Sequence, residues 1–172
     1  MSNDTTMIES EFINGDRYKG EVINMVKQGN GEYIFSNGDI YIGEFHKGVF
    51  HGKGILTYKE GIRYEGEFSA GKKEGKGLLF LSNGDKYEGQ FYDNRFCGEG
   101  VYYFKIGDMY KGNFKDGLFN GYGEVYYKNG DIFKGNFEND KKEGNGKYIF
   151  KDKRVFNGNW KQDIIIGNIN NN

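Results

Sequence analysis

The chain has 172 residues, a formal net charge of -1, 17% aromatic residues, 29 glycines, no proline and a single cysteine. Near-neutral charge excludes the electrostatic footprint of a nucleic-acid binder. The lone Cys97 excludes an internal disulfide framework, and no run approaches the ~20 apolar residues of a membrane-spanning helix.

Glycine and rings together, without proline, point to short strands and tight turns rather than a flexible linker. The first residues, MSNDTTMIES, carry neither a basic run nor an apolar core, so no secretory leader is expected. No glycine follows Met1 for myristoylation and the closing GNINNN holds no prenylation cysteine. The expected location is the cytoplasm, with any association to cytoskeleton or membrane peripheral.

Residues 1–13 are read as a tail with a half-hairpin cap, because Phe12 stands 23 positions before Phe35. From 14 to 168 one pattern recurs. An aromatic-x-Gly unit starts at Tyr18, Tyr41, Tyr64, Tyr87, Tyr110, Phe133 and Phe156, each 23 residues after the last. A G-x-G unit follows in phase at Gly29, Gly52, Gly75, Gly98, Gly121 and Gly144, and a turn glycine at Gly15, Gly38, Gly61, Gly84, Gly107 and Gly130. A fixed period of this length is the signature of a repeat architecture.

Within each copy the alternation is that of a hairpin. Asp39, Tyr41, Gly43 and Phe45 share one face of a first strand, and Ile40, Ile42 and Glu44 the other. The segment HKGVFH, residues 46–51, reads as a loop, and a second strand runs from Gly52 to about Tyr58. In that loop Gly48, Gly71, Asn94, Gly117, Asp140 and Asp163 hold one equivalent position. These residue types accept the left-handed region; Met25 does not suit it, so the first loop is expected to differ. Asn-Gly at Asn14, Asn37, Asn83 and Asn129 predicts hairpin turns, since both residue types tolerate positive φ. The strand glycines are expected to lie beneath aromatic rings.

The last copy is worn: Lys153 stands where a turn glycine is expected, Ile169 where a strand glycine is expected, and residues 169–172 form an Asn-rich tail. The reading is an all-β, elongated, single-layer antiparallel solenoid of about seven hairpins, roughly 70 Å long at ~4.8 Å per strand.

The pattern Y-x-G-E-F, G-x-G, N-G-D, plain in HGKGILTY from His51 and GDKYEGQF from Gly84, resembles the MORN repeat family. Val22, Phe133 and Phe156 depart from it. The resemblance implies a twisted sheet of hairpins with an aromatic groove. It also implies a scaffold or adaptor role at cytoskeletal, ciliary, cell-division or membrane-junction structures, with dimers and phospholipid binding in some members.

Candidate chemistry is sparse. The row Asp16, Asp39, Asp85, Asp108, Asp131 is spaced about 10 Å apart by the strand pitch, too far to share a metal, and reads as turn chemistry. His46 and His51 lack the third and fourth ligands of a zinc site. Cys97 has no partner base and reads as a thiol rather than a nucleophile. No catalytic residue, metal or cofactor is expected, and the chain is read as a non-enzymatic protein-binding scaffold. The expected contact groove is Tyr41, Phe45, Tyr64, Phe68, Tyr87, Phe91, Tyr110 and Phe114, filled by a partner's amphipathic helix or extended segment.

A second reading is phosphoinositide binding through the loop cations Lys47, Lys72, Lys73, Lys141 and Lys142. The six-residue loops carry nine Lys or Arg against seven Asp or Glu, a weak attraction at about 1 kcal/mol per net charge. A third reading is a regulatory subunit beside a separate catalytic protein. The apolar run Ile164, Ile165, Ile166, at the C-terminal edge and unusual for an exposed loop, predicts a self-association edge and a homodimer.

Overall fold

A computed structural model describes residues 4–168. Among them every regular element is a strand: β1 (Thr6–Glu11), β2 (Arg17–Ile23), β3 (Val26–Ile34), β4 (Ile40–His46), β5 (Val49–Thr57), β6 (Arg63–Ser69), β7 (Lys72–Phe80), β8 (Lys86–Tyr92), β9 (Arg95–Tyr103), β10 (Met109–Lys115), β11 (Leu118–Tyr126), β12 (Ile132–Glu138), β13 (Lys141–Ile149), β14 (Val155–Lys161) and β15 (Ile164–Asn168). The fold is all-β and antiparallel, with strand order following chain order. The expected tail at 169–172, with Ile169, lies outside the described residues. The chain divides into two compact units, one up to Ser82 together with Phe91–Asn94, the other Asn83–Gln90 together with the chain from Arg95 onward.

From β2 to β14, seven-residue first strands alternate with nine-residue second strands. Their connections are of two kinds. The connection after each first strand is a two-residue turn with both φ positive: Lys47 at 49° and Gly48 at 86°, Ala70 at 48° and Gly71 at 81°. This is the turn whose twist matches that of the flanking strands. The expected six-residue loop is therefore only two residues long, and Val49, Phe50 and His51 are already strand. Asn24 and Met25 adopt the same turn, at 50° and 62°. The expectation that the first loop differs is corrected: the flanking ladder imposes the geometry and Met25 bears the strain.

The connection between copies is a three-residue turn closed by one left-handed residue. Tyr58 donates its N–H to Ile62 O at 2.8 Å and Gly61 donates to Tyr58 O at 2.9 Å. Only the glycine is at positive φ, Gly38 at 96° for example. The asparagine before it is not. Asn37 instead accepts the Asp39 N–H on its side-chain oxygen at 2.9 Å, the local bond for which asparagine is favoured in turns. In the last copy Lys153 takes the glycine's place at 72°.

In the first unit β1 pairs with β2 ahead of the first full copy, and β2 to β7 pair each with the next. Its core is a run of buried rings joined by Val22, Leu56 and Leu79. Tyr41 meets Phe45 edge-on at 5.2 Å and Phe68 of the following copy at 5.1 Å; Tyr64 does the same with Phe68 and Phe91. In the second unit Tyr110 is clasped between Phe114 at 5.3 Å and Phe137 at 5.0 Å, and Phe133 between Phe137 and Trp160. Each edge-to-face pair adds about 0.5–1.5 kcal/mol beyond burial, so copies are held to their neighbours by ring geometry as well as by the ladder.

Candidate binding surface

Each copy builds its aromatic face in two layers. The lower layer begins with glycines paired across the hairpin, such as Gly43 with Gly54. Tyr41 lies flat over both: a Cβ on either would stand 2.6 or 2.5 Å from its hydroxyl oxygen. Bare backbone lets the ring reach across, and its hydroxyl donates to Glu44 O at 2.8 Å. Tyr18, Tyr64, Tyr87 and Tyr110 repeat the bond to the residue three positions on. Burial pushes the Tyr18 phenol up to about 12. Phe133 lies over Gly135 and Gly146 without the hydroxyl.

The upper layer comes from the start of each second strand. Phe50 stacks on Tyr41 at 3.7 Å, Phe96 on Tyr87 at 3.8 Å and Phe119 on Tyr110 at 3.8 Å. Lys27, Lys73 and Lys142 occupy the equivalent position in their own copies. The Lys27 ammonium stands 4.1 Å from the Tyr33 ring centre and 5.6 Å from that of Phe45. The Lys73 ammonium stands 5.4 Å from Tyr64 and donates to the Tyr58 hydroxyl at 3.3 Å. Lys142 lies 5.2 Å from Phe133. Burial lowers the pKa of Lys27, with Asp16 partly opposing it, and burial alone lowers that of Lys73. Half-buried Tyr33, Phe35 and Tyr58 flank this layer in the first unit, and Tyr102, Phe104 and Tyr127 in the second.

The expected groove residues Tyr41, Phe45, Tyr64, Phe68, Tyr87, Phe91, Tyr110 and Phe114 are all 4% exposed or less. This corrects their placement as a contact surface: they are the floor, sealed by the layer above and by their neighbours. What a partner can reach is the upper layer, Lys27, Phe50 and Lys73 in one unit and Phe96, Phe119 and Lys142 in the other. Sequence reasoning assigned that position to a loop. Its only signal was the recurrence of Phe or Lys at a single 23-residue phase.

Of the expected lipid-facing cations, Lys47 and Lys141 are exposed at the turns, and Lys72 is ion-paired with Asp93. Lys73 and Lys142 are corrected from loop cations to half-buried members of the aromatic face. Ile164, Ile165 and Ile166 are exposed on β15, which pairs with β14. The opposite face of the first unit is polar at Lys19 and Glu65 yet apolar at Ile42, which is 51% exposed.

The aspartate row does turn work. Asp16 accepts the N–H of Ser36 at 2.8 Å, Asp39 that of Lys59 at 2.9 Å, Asp85 that of Lys105 at 2.8 Å and Asp131 that of Lys151 at 2.8 Å, each in the following turn. The Tyr33 hydroxyl donates to Asp16 at 2.6 Å, and chiefly for that reason the Asp16 carboxyl is held down at about 2. The His46 and His51 ring centres are 5.4 Å apart. No group of three or more His, Cys, Asp or Glu that could hold a metal occurs among the described residues. Cys97 is half-buried on β9.

Six tandem segments, residues 18–40, 41–63, 64–86, 87–109, 110–132 and 133–153, match the family model of the MORN repeat. No curated protein sequence matches the chain. Among solved structures, it is similar to the TCP domain of Drosophila melanogaster SAS-4, held in complex with a proline-rich motif of Ana2. The identity is 13%, the TM-score 0.58, and the match covers 91% of this chain and 90% of that one. The TCP10 domain of Danio rerio CPAP aligns over 97% of this chain and 96% of its own, at 11% identity and a TM-score of 0.41. At 13% identity the likeness to the SAS-4 domain is one of fold.

Proposed function

This chain belongs to the MORN repeat family, and on that premise we propose that it is a non-enzymatic scaffold whose aromatic face binds partner proteins. The observation that carries the reading is the upper layer. Phe50, Phe96 and Phe119 stack on the floor and stay partly exposed, flanked by half-buried tyrosines. A face of that kind offers rigid anchors of the sort that dominate protein contacts. The SAS-4 TCP domain, which shares the fold, is held in complex with a peptide motif, in keeping with this use of such a sheet. The setting we infer is cytoplasmic, within a cytoskeletal, ciliary or cell-division assembly.

A peripheral lipid-binding role has less support. Lys72 is neutralised by Asp93 and Lys142 lies 3.9 Å from Asp163. Lys73 lies along the rings, leaving Lys47 and Lys141 as exposed cations of the expected set. A homodimer through β15 is a separate reading, favoured by its three exposed isoleucines; replacing Ile164, Ile165 and Ile166 by serine should halve the mass seen by light scattering. An unchanged mass removes that interface. Service as a subunit beside a catalytic protein is the remaining reading; it would use the same aromatic face.

The scaffold reading is tested by placing a photo-crosslinking phenylalanine analogue at Phe50 and, separately, at Ile42 on the opposite face. Protein adducts are expected from position 50 in excess of position 42. Equal labelling from both positions, together with sedimentation on phosphoinositide vesicles at physiological salt, would replace the scaffold by a membrane module.

A further inference from the structure

We propose that the segment seated on the first unit's aromatic face is proline-rich and in the polyproline II conformation, with acidic side chains that reach Lys27 and Lys73. The inference rests on the scaffold reading and names the occupant's chemistry.

Two observations carry it. The first is chemical. Lys27 and Lys73 are half-buried among rings, burial lowers the pKa of both, and neither forms an ion pair among the described residues. An ammonium carries three donors. Ring faces attract its charge but accept those donors poorly, and the Tyr58 hydroxyl takes one from Lys73 at 3.3 Å. The occupant should therefore bring acceptors into an aromatic setting. A polyproline II segment does so, because its backbone carbonyls make no internal hydrogen bonds. An α-helix has spent its carbonyls internally. Carboxylates on the segment would add charge complementarity at the two sites.

The second observation is metric. Lys27 on β3 and Lys73 on β7 hold one phase two copies apart, with Phe50 at the same phase between them. Four strand steps of ~4.8 Å separate them by about 19 Å. Polyproline II rises 3.1 Å per residue with three residues per turn, so roughly six residues span the distance and return to the same face. Each copy then meets one turn of the ligand. An α-helix of that length uses about thirteen residues, which at ~100° each leaves its two ends on nearly opposite sides.

The test uses the whole chain and a synthetic proline peptide carrying two aspartates roughly six residues apart, read by titration calorimetry. One-to-one binding is expected. It should weaken about tenfold when the aspartates become asparagines, or when Lys27→Met and Lys73→Met are combined. The methionines keep the covering stems, and unchanged circular dichroism and melting would show the fold intact. The asparagine peptide tests the same contacts without altering the protein. Shortening the spacing by about two residues should weaken binding as well. Affinity indifferent to charge and spacing, or no binding, overturns the inference. If position 50 still crosslinks to proteins, the scaffold reading survives that loss; if it does not, both fall together.

Discussion

Tyr41 shows how one residue type settles the choice of another. Its ring occupies the volume that a Cβ on Gly54 would need, with Oη, Cε2 and Cζ all within 2.7 Å of that position. Gly54→Ala should therefore destabilise by about 1–3 kcal/mol, the usual cost of overpacking. Gly167→Ala, where nothing lies within 4 Å, should change little; urea denaturation of the two variants checks the contrast. Asp16 offers a pH-dependent counterpart. Its folded pKa of about 2 lies below the ordinary 3.8, so its carboxylate favours the folded state above that ordinary value. The contribution is lost as pH falls toward 2. Wild type should lose more stability than Asp16→Asn across that acid window in parallel melts. The aspartates were legible as turn residues; the tyrosine that clamps Asp16, Tyr33, was not, because it stands 17 residues away and meets the carboxylate only when β2 and β3 close as a hairpin.

The hairpin is the element on which the chain repeats itself, and its turns expose where sequence and geometry disagree. Met25 at 62° and Lys153 at 72° occupy left-handed positions that glycine holds in other copies. An L-residue with a side chain is strained there by roughly 1–2 kcal/mol, and glycine gives part of that back as unfolded-chain entropy. Met25→Gly and Lys153→Gly should each raise stability by about 0.5–1 kcal/mol, seen as a higher urea midpoint with unchanged slope. A midpoint that falls would show that Met25 or Lys153 makes a compensating contact. The length of the first turn was misread for a related reason. Phe50 and His51 follow a bulge between Gly43 and Glu44 that shifts the register, so the strict alternation used to find the strands breaks there. The bulge is secured by the Glu44 carboxylate, which accepts the Lys53 N–H at 2.8 Å, a side-chain bond invisible to a periodicity count.

For the molecule as a whole, the 23-residue unit carries its own ladder, turns and ring clasp. Each unit needs only the copy before it and the copy after it, the condition for a nearest-neighbour solenoid. Excision of residues 41–63, one matched copy, joins equivalent ends and should leave a folded chain with the same far-ultraviolet circular dichroism and a lower melting temperature. Excision of half that length would place ring positions against the solvent face, since a slip in register exchanges the two faces of a strand, and that chain should fail to fold. A well-folded half-copy deletion would refute the nearest-neighbour account.

The amino-acid sequence alone determined the repeat length, the all-β class, the turn positions and the family, because each is written as a spacing along one chain and needs no partner from elsewhere. Only the tertiary structure decided which rings are floor and which are surface. Tyr41 and Phe50 are nine positions apart and equally aromatic, and their difference arises when one stacks on the other. The same stacking turns Lys27 and Lys73 from loop charges into cations held over rings. Burial is a property of neighbours brought together from different strands, and periodicity can say that a face exists without saying how many layers it has.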